Sequence, residues 1–301
     1  MKTRPDYISY GAVGTLGIVW GSAFALTDVA LRGFGAVEVV TARAGLAAMV
    51  LVCVAYLSGQ GLPRRWRHWA WCGVFGITSL ALPFTLLTWA QLSIDSAVAA
   101  VMISSSPLFV LMLAKVILGT PVGPRKWLGF SVGFAGLAVL IGPGIFQAVG
   151  APLLPQIACL GTAFCYGLSA VLVRKMPELP PVQATAASQL CAAAVLVPFG
   201  AVGLSGALTP GVPLFALVVL GVVQTGLAQL LRYWTVKRSG AVFASTSSYL
   251  IPIWAGFVGI TLLGEPLTLQ LVIGFVLIAG GLIVAGNRPD IHRVEAASSA
   301  G

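Results

Sequence analysis

The sequence predicts an all-α integral membrane protein with ten transmembrane helices arranged as two inverted five-helix repeats. Three observations carry that prediction. Of the 301 residues, 58% are hydrophobic and only 8% charged. Apolar runs of bilayer-spanning length recur along the whole chain. The two halves of the sequence also lie on each other at a constant shift of 145 residues.

A soluble domain carries roughly 25% charged residues, so a chain with mean hydropathy +0.98 cannot cover a water-facing surface. A bilayer core needs about 20 apolar residues per helix. Windows of that length place spans near 8–30, 36–57, 69–91, 96–118, 126–142, 153–173, 182–203, 212–235, 241–262 and 267–286. Barrel strands are excluded because runs this long do not alternate polar with apolar. Lys2 and Arg4 precede the first run as they would in a signal peptide. That run is longer than an h-region, however, and further spans follow it.

The basic residues then give the spans a direction. Lys2 and Arg4 precede the first span, and Arg64, Arg65 and Arg67 separate the second from the third. Lys115, Arg125 and Lys126 flank the fourth-to-fifth connection, Arg174 and Lys175 follow the sixth, and Arg232, Lys237 and Arg238 close the eighth. Arg288 and Arg293 follow the tenth. The opposite connections hold little beyond Arg32, Glu38, Asp95 and Glu265. By the positive-inside rule both termini are cytoplasmic, in a plasma membrane of the bacterial inner-membrane type. The net charge of +9 is thus a topology signal and calls for no nucleic acid. The five cysteines all fall in apolar stretches without metal-ligand spacing, and read as small buried hydrophobes. No metal or other cofactor is expected.

On the 145-residue shift, Gly76 falls on Gly221, Trp89 on Trp234, Ala99 on Ala244 and Pro107 on Pro252. Leu118-Gly119-Thr120-Pro121 falls on Leu263-Gly264-Glu265-Pro266, Gly129 on Gly274 and Gly136 on Gly281. With one residue more, Trp20-Gly21 of the first span falls on Tyr166-Gly167 of the sixth. Residues 1–145 form the first repeat, 146–290 the second, and 291–301 a cytoplasmic tail. Five spans per repeat is an odd number, so the second copy enters the membrane upside down. Inverted repeats allow alternating access to a site held between them near the midplane. A duplicated membrane scaffold is the bland alternative.

These residues resemble the EamA-type permeases of the drug/metabolite transporter superfamily, over essentially the whole chain. Trp20-Gly21-Ser22-Ala23-Phe24 is similar to that family's Trp-Gly-Ser/Thr element, and Arg43 to its second-span arginine. Ala99, Pro107 and Leu263-Gly264-Glu265-Pro266-Leu267, with Gly274 and Gly281, resemble its later pattern. Thr120 departs from it where the second copy has Glu265. The resemblance implies a carrier, with export of amino acids or other metabolites as the expected activity. It leaves nucleotide-sugar or drug transport as the runner-up.

Polar and aromatic side chains inside spans are costly unless they face a bundle interior or a cavity. The candidate substrate-binding residues are Trp20, Ser22, Thr78, Thr85, Ser104, Tyr166, Ser169, Gln224, Gln229 and Tyr249. For any single Ser or Thr, helix packing is the favoured reading over substrate contact. At 3.6 residues per turn, Gln224 and Gln229 stand roughly 140° apart and do not share a face. Trp20 and Tyr166 occupy matching places in the repeat, and aromatic walls suit an apolar or aromatic metabolite. Trp89 and Trp234, near span ends, read as interfacial anchors.

Pro107 and Pro252 are candidate hinges or, as readily, static kinks. Asp28 and Arg32 have the spacing of a local ion pair. Arg43 is read as snorkelling or pairing with Asp28 or Glu38, or as a gating or carboxylate-recognising residue.

No Asp or Glu stands at a span midpoint, and His68 and His292 lie in connections. That argues against a carboxylate proton relay and against lipophilic-cation export, which leaves a facilitator or exchanger. A membrane-embedded enzyme would need convergent acid/base or metal groups that the chain does not offer. A scaffold or receptor would show a soluble domain. The expected partners are a small-molecule metabolite and the lipid bilayer, and a monomer accommodates every feature.

Overall fold

A computed structural model describes residues 6–119, 123–141, 153–207, 211–239 and 247–285, and every regular element among them is helical. The elements are α1 (Tyr7–Leu31), α2 (Ala36–Leu57), α3 (Trp66–Gly76), α4 (Leu82–Ala90), α5 (Ser96–Ile103), α6 (Ser106–Leu118) and α7 (Pro124–Ile141). They continue with α8 (Leu153–Leu172), α9 (Pro181–Ala207), α10 (Val212–Val219), α11 (Ala228–Ser239), α12 (Ser247–Val258) and α13 (Leu269–Ala285). Wider π-helical turns join α3 to α4 (Ile77–Ala81) and α10 to α11 (Leu220–Leu227), and a third, Gly259–Leu263, continues α12.

This is a multi-pass membrane protein. Among the described residues, seven helical stretches are long and apolar enough to cross a bilayer: Tyr7–Leu31, Ala36–Leu57, Trp66–Ala90, Ser96–Leu118, Leu153–Lys175, Pro181–Gly200 and Val212–Thr235. Leu250–Leu263 and Leu269–Gly281 are apolar but shorter. The spans expected at 126–142, 241–262 and 267–286 correspond to α7, to Ser247–Leu263 and to α13. Each of these three abuts residues outside the described set.

Helices in lipid gain little from the hydrophobic effect between themselves, so close packing through small residues has to hold them together. α7 runs along α13 and α2 along α9, while α1 packs on α12 and on α10 and α11. α8 packs on α4 and α6, α2 on the Leu220–Leu227 turn, and α9 on α3 and the Ile77–Ala81 turn. Exchanging each helix for its counterpart in the other half returns most of these contacts: α1 on α12 becomes α8 on α6, and α1 on α11 becomes α8 on α4.

The shared glycines sit where that exchange brings backbones together. A Cβ on Gly136 would stand 2.8 Å from the Gly274 carbonyl oxygen, and one on Gly281 2.5 Å from that of Gly129. A Cβ on Gly76 would meet the Ser188 carbonyl of α9, and one on Gly221 lies 3.3 Å from the Arg43 carbonyl of α2. On the axis of the exchange itself, Gln189 Nε2 donates to the Ala44 carbonyl at 3.3 Å, across a separation of 145 residues.

Gly119 and Gly264 end their helices at φ 65° and 71°, a left-handed conformation that glycine adopts without steric cost. The two copies differ at their prolines. The chain breaks at Ser104–Ser105, and Pro107 sits in the first turn of α6, where it removes no helical hydrogen bond. Pro252 lies inside α12.

Candidate substrate-binding site

The site is organised by the π-helical turn at Leu220–Leu227. Its i→i+5 spacing redirects backbone and side chains relative to an α-helix, and such turns often mark functional positions. The Gln224 carbonyl accepts a hydrogen bond from Trp20 Nε1 of α1 at 3.0 Å. Thr225 Oγ1 donates to the Leu220 carbonyl at 2.9 Å and accepts from Arg43 Nε of α2 at 2.8 Å. The Gln224 side chain is 4% exposed, and its Oε1 is buried without a partner among the described residues. The wider turn also changes the angular relation of Gln224 to Gln229, which was reckoned at 3.6 residues per turn.

Arg43 overturns the snorkelling expectation. Asp28 is taken by Arg32 at 2.8 Å, and Glu38 Oε2 accepts from the Gly35 amide at 2.6 Å at the start of α2. Arg43 instead turns inward. Its side chain is 7% exposed, and the guanidinium carbon lies 4.1 Å from the centroid of the Phe84 ring. The Phe84 quadrupole and the Thr225 hydroxyl partly replace the water that the cation has lost. Tyr166 of α8 packs on the same cluster, which contains Val40, Ala44, Leu80 and Phe84. Along α11, seven residues beyond Thr225, the Arg232 guanidinium lies 5.8 Å from the Trp20 ring centroid.

The structure therefore brings together Trp20, Arg43, Tyr166 and Gln224 from among the sequence candidates. Thr225, a mid-span hydroxyl that the sequence also offers as a candidate, joins them, and the structure adds Phe84 and Arg232. Arg232 reads in sequence as a topology charge, although its spacing from Thr225 repeats every two turns and could have placed it on that face. Nothing in the sequence singles out Phe84, one of many phenylalanines in apolar runs.

The remaining candidates lie elsewhere. Ser22 accepts from Trp254 Nε1 of α12 at 2.8 Å, and Trp254 packs on Phe257 at 5.4 Å between ring centroids. Thr78 donates to the Val74 carbonyl (2.8 Å), Thr85 to Ala81 (2.8 Å), Ser104 to Val101 (2.6 Å) and Ser169 to Tyr166 (3.0 Å). These bonds within one helix satisfy hydroxyls that have no water to meet. Gln229 is half-buried on α11, and the side chain of Tyr249 lies outside the described residues.

Polar contacts tie the bundle at both ends. Glu265 accepts from the Ser96 and Ala97 amides at 2.7 and 3.0 Å, and so caps α5 with a carboxylate where the helix dipole favours one. Beside it is a recess of ≈ 270 Å³ lined by Asp28, Arg32, Gln91, Asp95, Ser96 and Glu265. None of the substrate-binding candidates lines it. At the other end Asp6 caps α1 through the Ser9 amide at 3.0 Å and pairs with Arg238 of α11 at 2.5 Å. Hydrogen bonds from the Arg238 guanidinium and from Ser9 hold the Asp6 carboxyl well below the usual carboxylate range.

The family model of EamA-like transporters matches this chain twice, over residues 9–142 and 153–286. A "Probable terminal-alkyne amino-acid exporter" of Streptantibioticus cattleyicolor is 28% identical, with 94% of this chain and 95% of that protein covered. An "Uncharacterized inner membrane transporter YedA" of Escherichia coli (strain K12) is 23% identical over 95% and 94% of the two chains. A solved crystal structure at 20% identity shares the fold with a TM-score of 0.63, covering 92% of this chain and 97% of that one. With a match in each half that together span nearly its whole length, the chain belongs to the EamA-like transporter family.

Proposed function

We propose that this transporter is an alternating-access carrier that exports small metabolites, amino acids with apolar or aromatic side chains above all, as a facilitator or exchanger. Residues 1–145 and 146–290 act as inverted five-helix halves, residues 291–301 form a cytoplasmic tail, and both termini face the cytoplasm of a bacterial inner membrane. The observation that carries the reading is the meeting of the halves at one buried point. There Trp20 and Arg43 of the first half hold Gln224 and Thr225 of the second.

The exchange symmetry of the helix contacts supports two conformations related by swapping the roles of the halves. The name of the Streptantibioticus relative supports the substrate class, and the sidedness of the basic residues supports the orientation. In this mechanism α1 and the α10–α11 span rock apart, and the Trp20–Gln224 contact breaks and re-forms in each cycle.

The test is uptake of radiolabelled amino acids and sugars by proteoliposomes of the full chain, with and without a proton gradient. Exchange of at least one apolar amino acid, insensitive to the gradient, is expected. Replacing Gln224 by Ala should alter the apparent KM while the protein stays folded. Failure to move any small metabolite would sink the carrier reading, and uphill uptake driven by pH would sink the facilitator.

A further inference from the structure

We infer that the interior site reads its cargo as an organic carboxylate, received by Arg43. The inference rests on the carrier reading and specifies the chemistry of its substrate. A guanidinium withdrawn from solvent inside a membrane protein is costly without a counter-charge. Arg43 is 7% exposed and, among the described residues, has one hydrogen bond, to Thr225, and one ring, Phe84. Arginine offers five donors in a planar fork that matches a carboxylate, so most of that fork stands uncommitted.

Among the described residues no carboxylate pairs with Arg43. Asp6 pairs with Arg238 and Asp28 with Arg32. Glu38 holds the Gly35 amide, and Glu265 the Ser96 and Ala97 amides. Asp95 stands at the start of α5 and Glu178 in the connection before α9.

A second cation lies on the same side of the α10–α11 span. Arg232, seven residues from Thr225, sits over the Trp20 ring, is more exposed than Arg43, and forms no ion pair among the described residues. The two guanidiniums, Arg43 on α2 and Arg232 on α11, make a graded positive path. Arg232 is the outer station, where an anion is first met, and Arg43 the inner one, where it is desolvated and paired. Trp20 and Tyr166 flank the path with ring surface for an apolar body. An amino acid enters by its carboxylate, and its ammonium meets the Gln224 Oε1 acceptor or a ring face.

The experiment uses sets of compounds that share one apolar body. Phenylpropanoate, phenylalanine and phenylethylamine form one set, and the hexanoate, norleucine and pentylamine trio another. Each compound is tested for thermal stabilisation of the purified full chain and for inhibition of exchange in proteoliposomes. The carboxylate and the amino acid should each bind about tenfold or more better than the amine. Inside-positive membrane potential should raise accumulation of the carboxylate.

Arg43→Gln should erase the preference, and Arg43→Lys, which keeps the charge without the fork, should restore part of it. Arg232→Gln should slow capture more than it weakens binding. Melting and gel-filtration profiles of each variant separate lost recognition from lost fold. Exchange that favours the amine over both carboxylate-bearing compounds overturns the inference and leaves the carrier standing. A preference unchanged in a folded Arg43→Gln protein does the same. Failure of every compound to bind or move removes both.

Discussion

Two adjacent glycines of α13 should respond oppositely to the same added methyl. A Cβ on Gly281 would stand 2.5 Å from both the Gly129 oxygen and the Gly133 nitrogen, and 2.8 Å from Gly133 Cα, all backbone atoms of α7. Ordinary contact begins at 3.4 Å, so α7 and α13 must part by about 0.9 Å along much of their shared length. Overpacking of this kind costs about 1–3 kcal/mol. At Gly280 a Cβ meets nothing within 4 Å. Gly280→Ala therefore shows only the gain in helix propensity, up to about 1 kcal/mol. Gly281→Ala makes the same propensity gain, so the difference between the two variants isolates the packing cost. At about 2–4 °C per kcal/mol for a chain of this size class, their melting temperatures should differ by several degrees. Cys72, Cys159 and Cys165 are buried, so a thiol-reactive dye in detergent reports unfolding, with the exposed Cys53 changed to Ser to lower the background. Gly136→Ala should follow Gly281→Ala, because it faces the same interface from the other side. Equal melting of the Gly280→Ala and Gly281→Ala proteins would refute the close-approach argument and, with it, the structural reason for the repeated glycines.

Glu265→Ala should lower the melting temperature by the equivalent of about 1–2 kcal/mol, because two amides of α5 lose their cap. Glu265→Gln, which keeps an acceptor, should cost less, and an unchanged Ala variant would remove the capping role. Asp6→Asn should destabilise the Arg238 end by an amount independent of pH between pH 5 and 8. The Asp6 carboxyl is held below its unfolded value of about 3.9, so its contribution is fully present above that pH. It fades only as pH falls through the lowered folded value. A melting difference that shrinks between pH 8 and 5 would contradict this assignment.

Much of the architecture was legible without coordinates because bilayers impose simple arithmetic. Span length, charge sidedness and the recurrence of Gly76, Pro107 and Leu118-Gly119 at one shift are properties of the chain read in one dimension. Trp20, Arg43, Tyr166 and Gln224 stood out because aromatic, cationic and amide groups are rare inside spans and need a reason to be there. Thr78, Thr85, Ser104 and Ser169 stood out for the same reason, yet each hydroxyl donates to a carbonyl of its own helix. Sequence cannot separate the two cases, since a hydroxyl can bond its own helix, a distant one, or, as Thr225 does, both.

The sequence by itself determined that the protein lives in a membrane, that its halves are copies, and which family it belongs to. Only the tertiary structure decided where Arg43 points. Asp28 and Glu38 lie close to it in sequence, but both are satisfied on their own helices, and its partners Thr225 and Phe84 come from distant spans. The Leu220–Leu227 turn was equally out of reach. A π-helical segment is a local backbone choice, stabilised here by Trp20 and Arg43 reaching across from α1 and α2, and no period in the sequence encodes a contact between helices 182 and 204 residues apart.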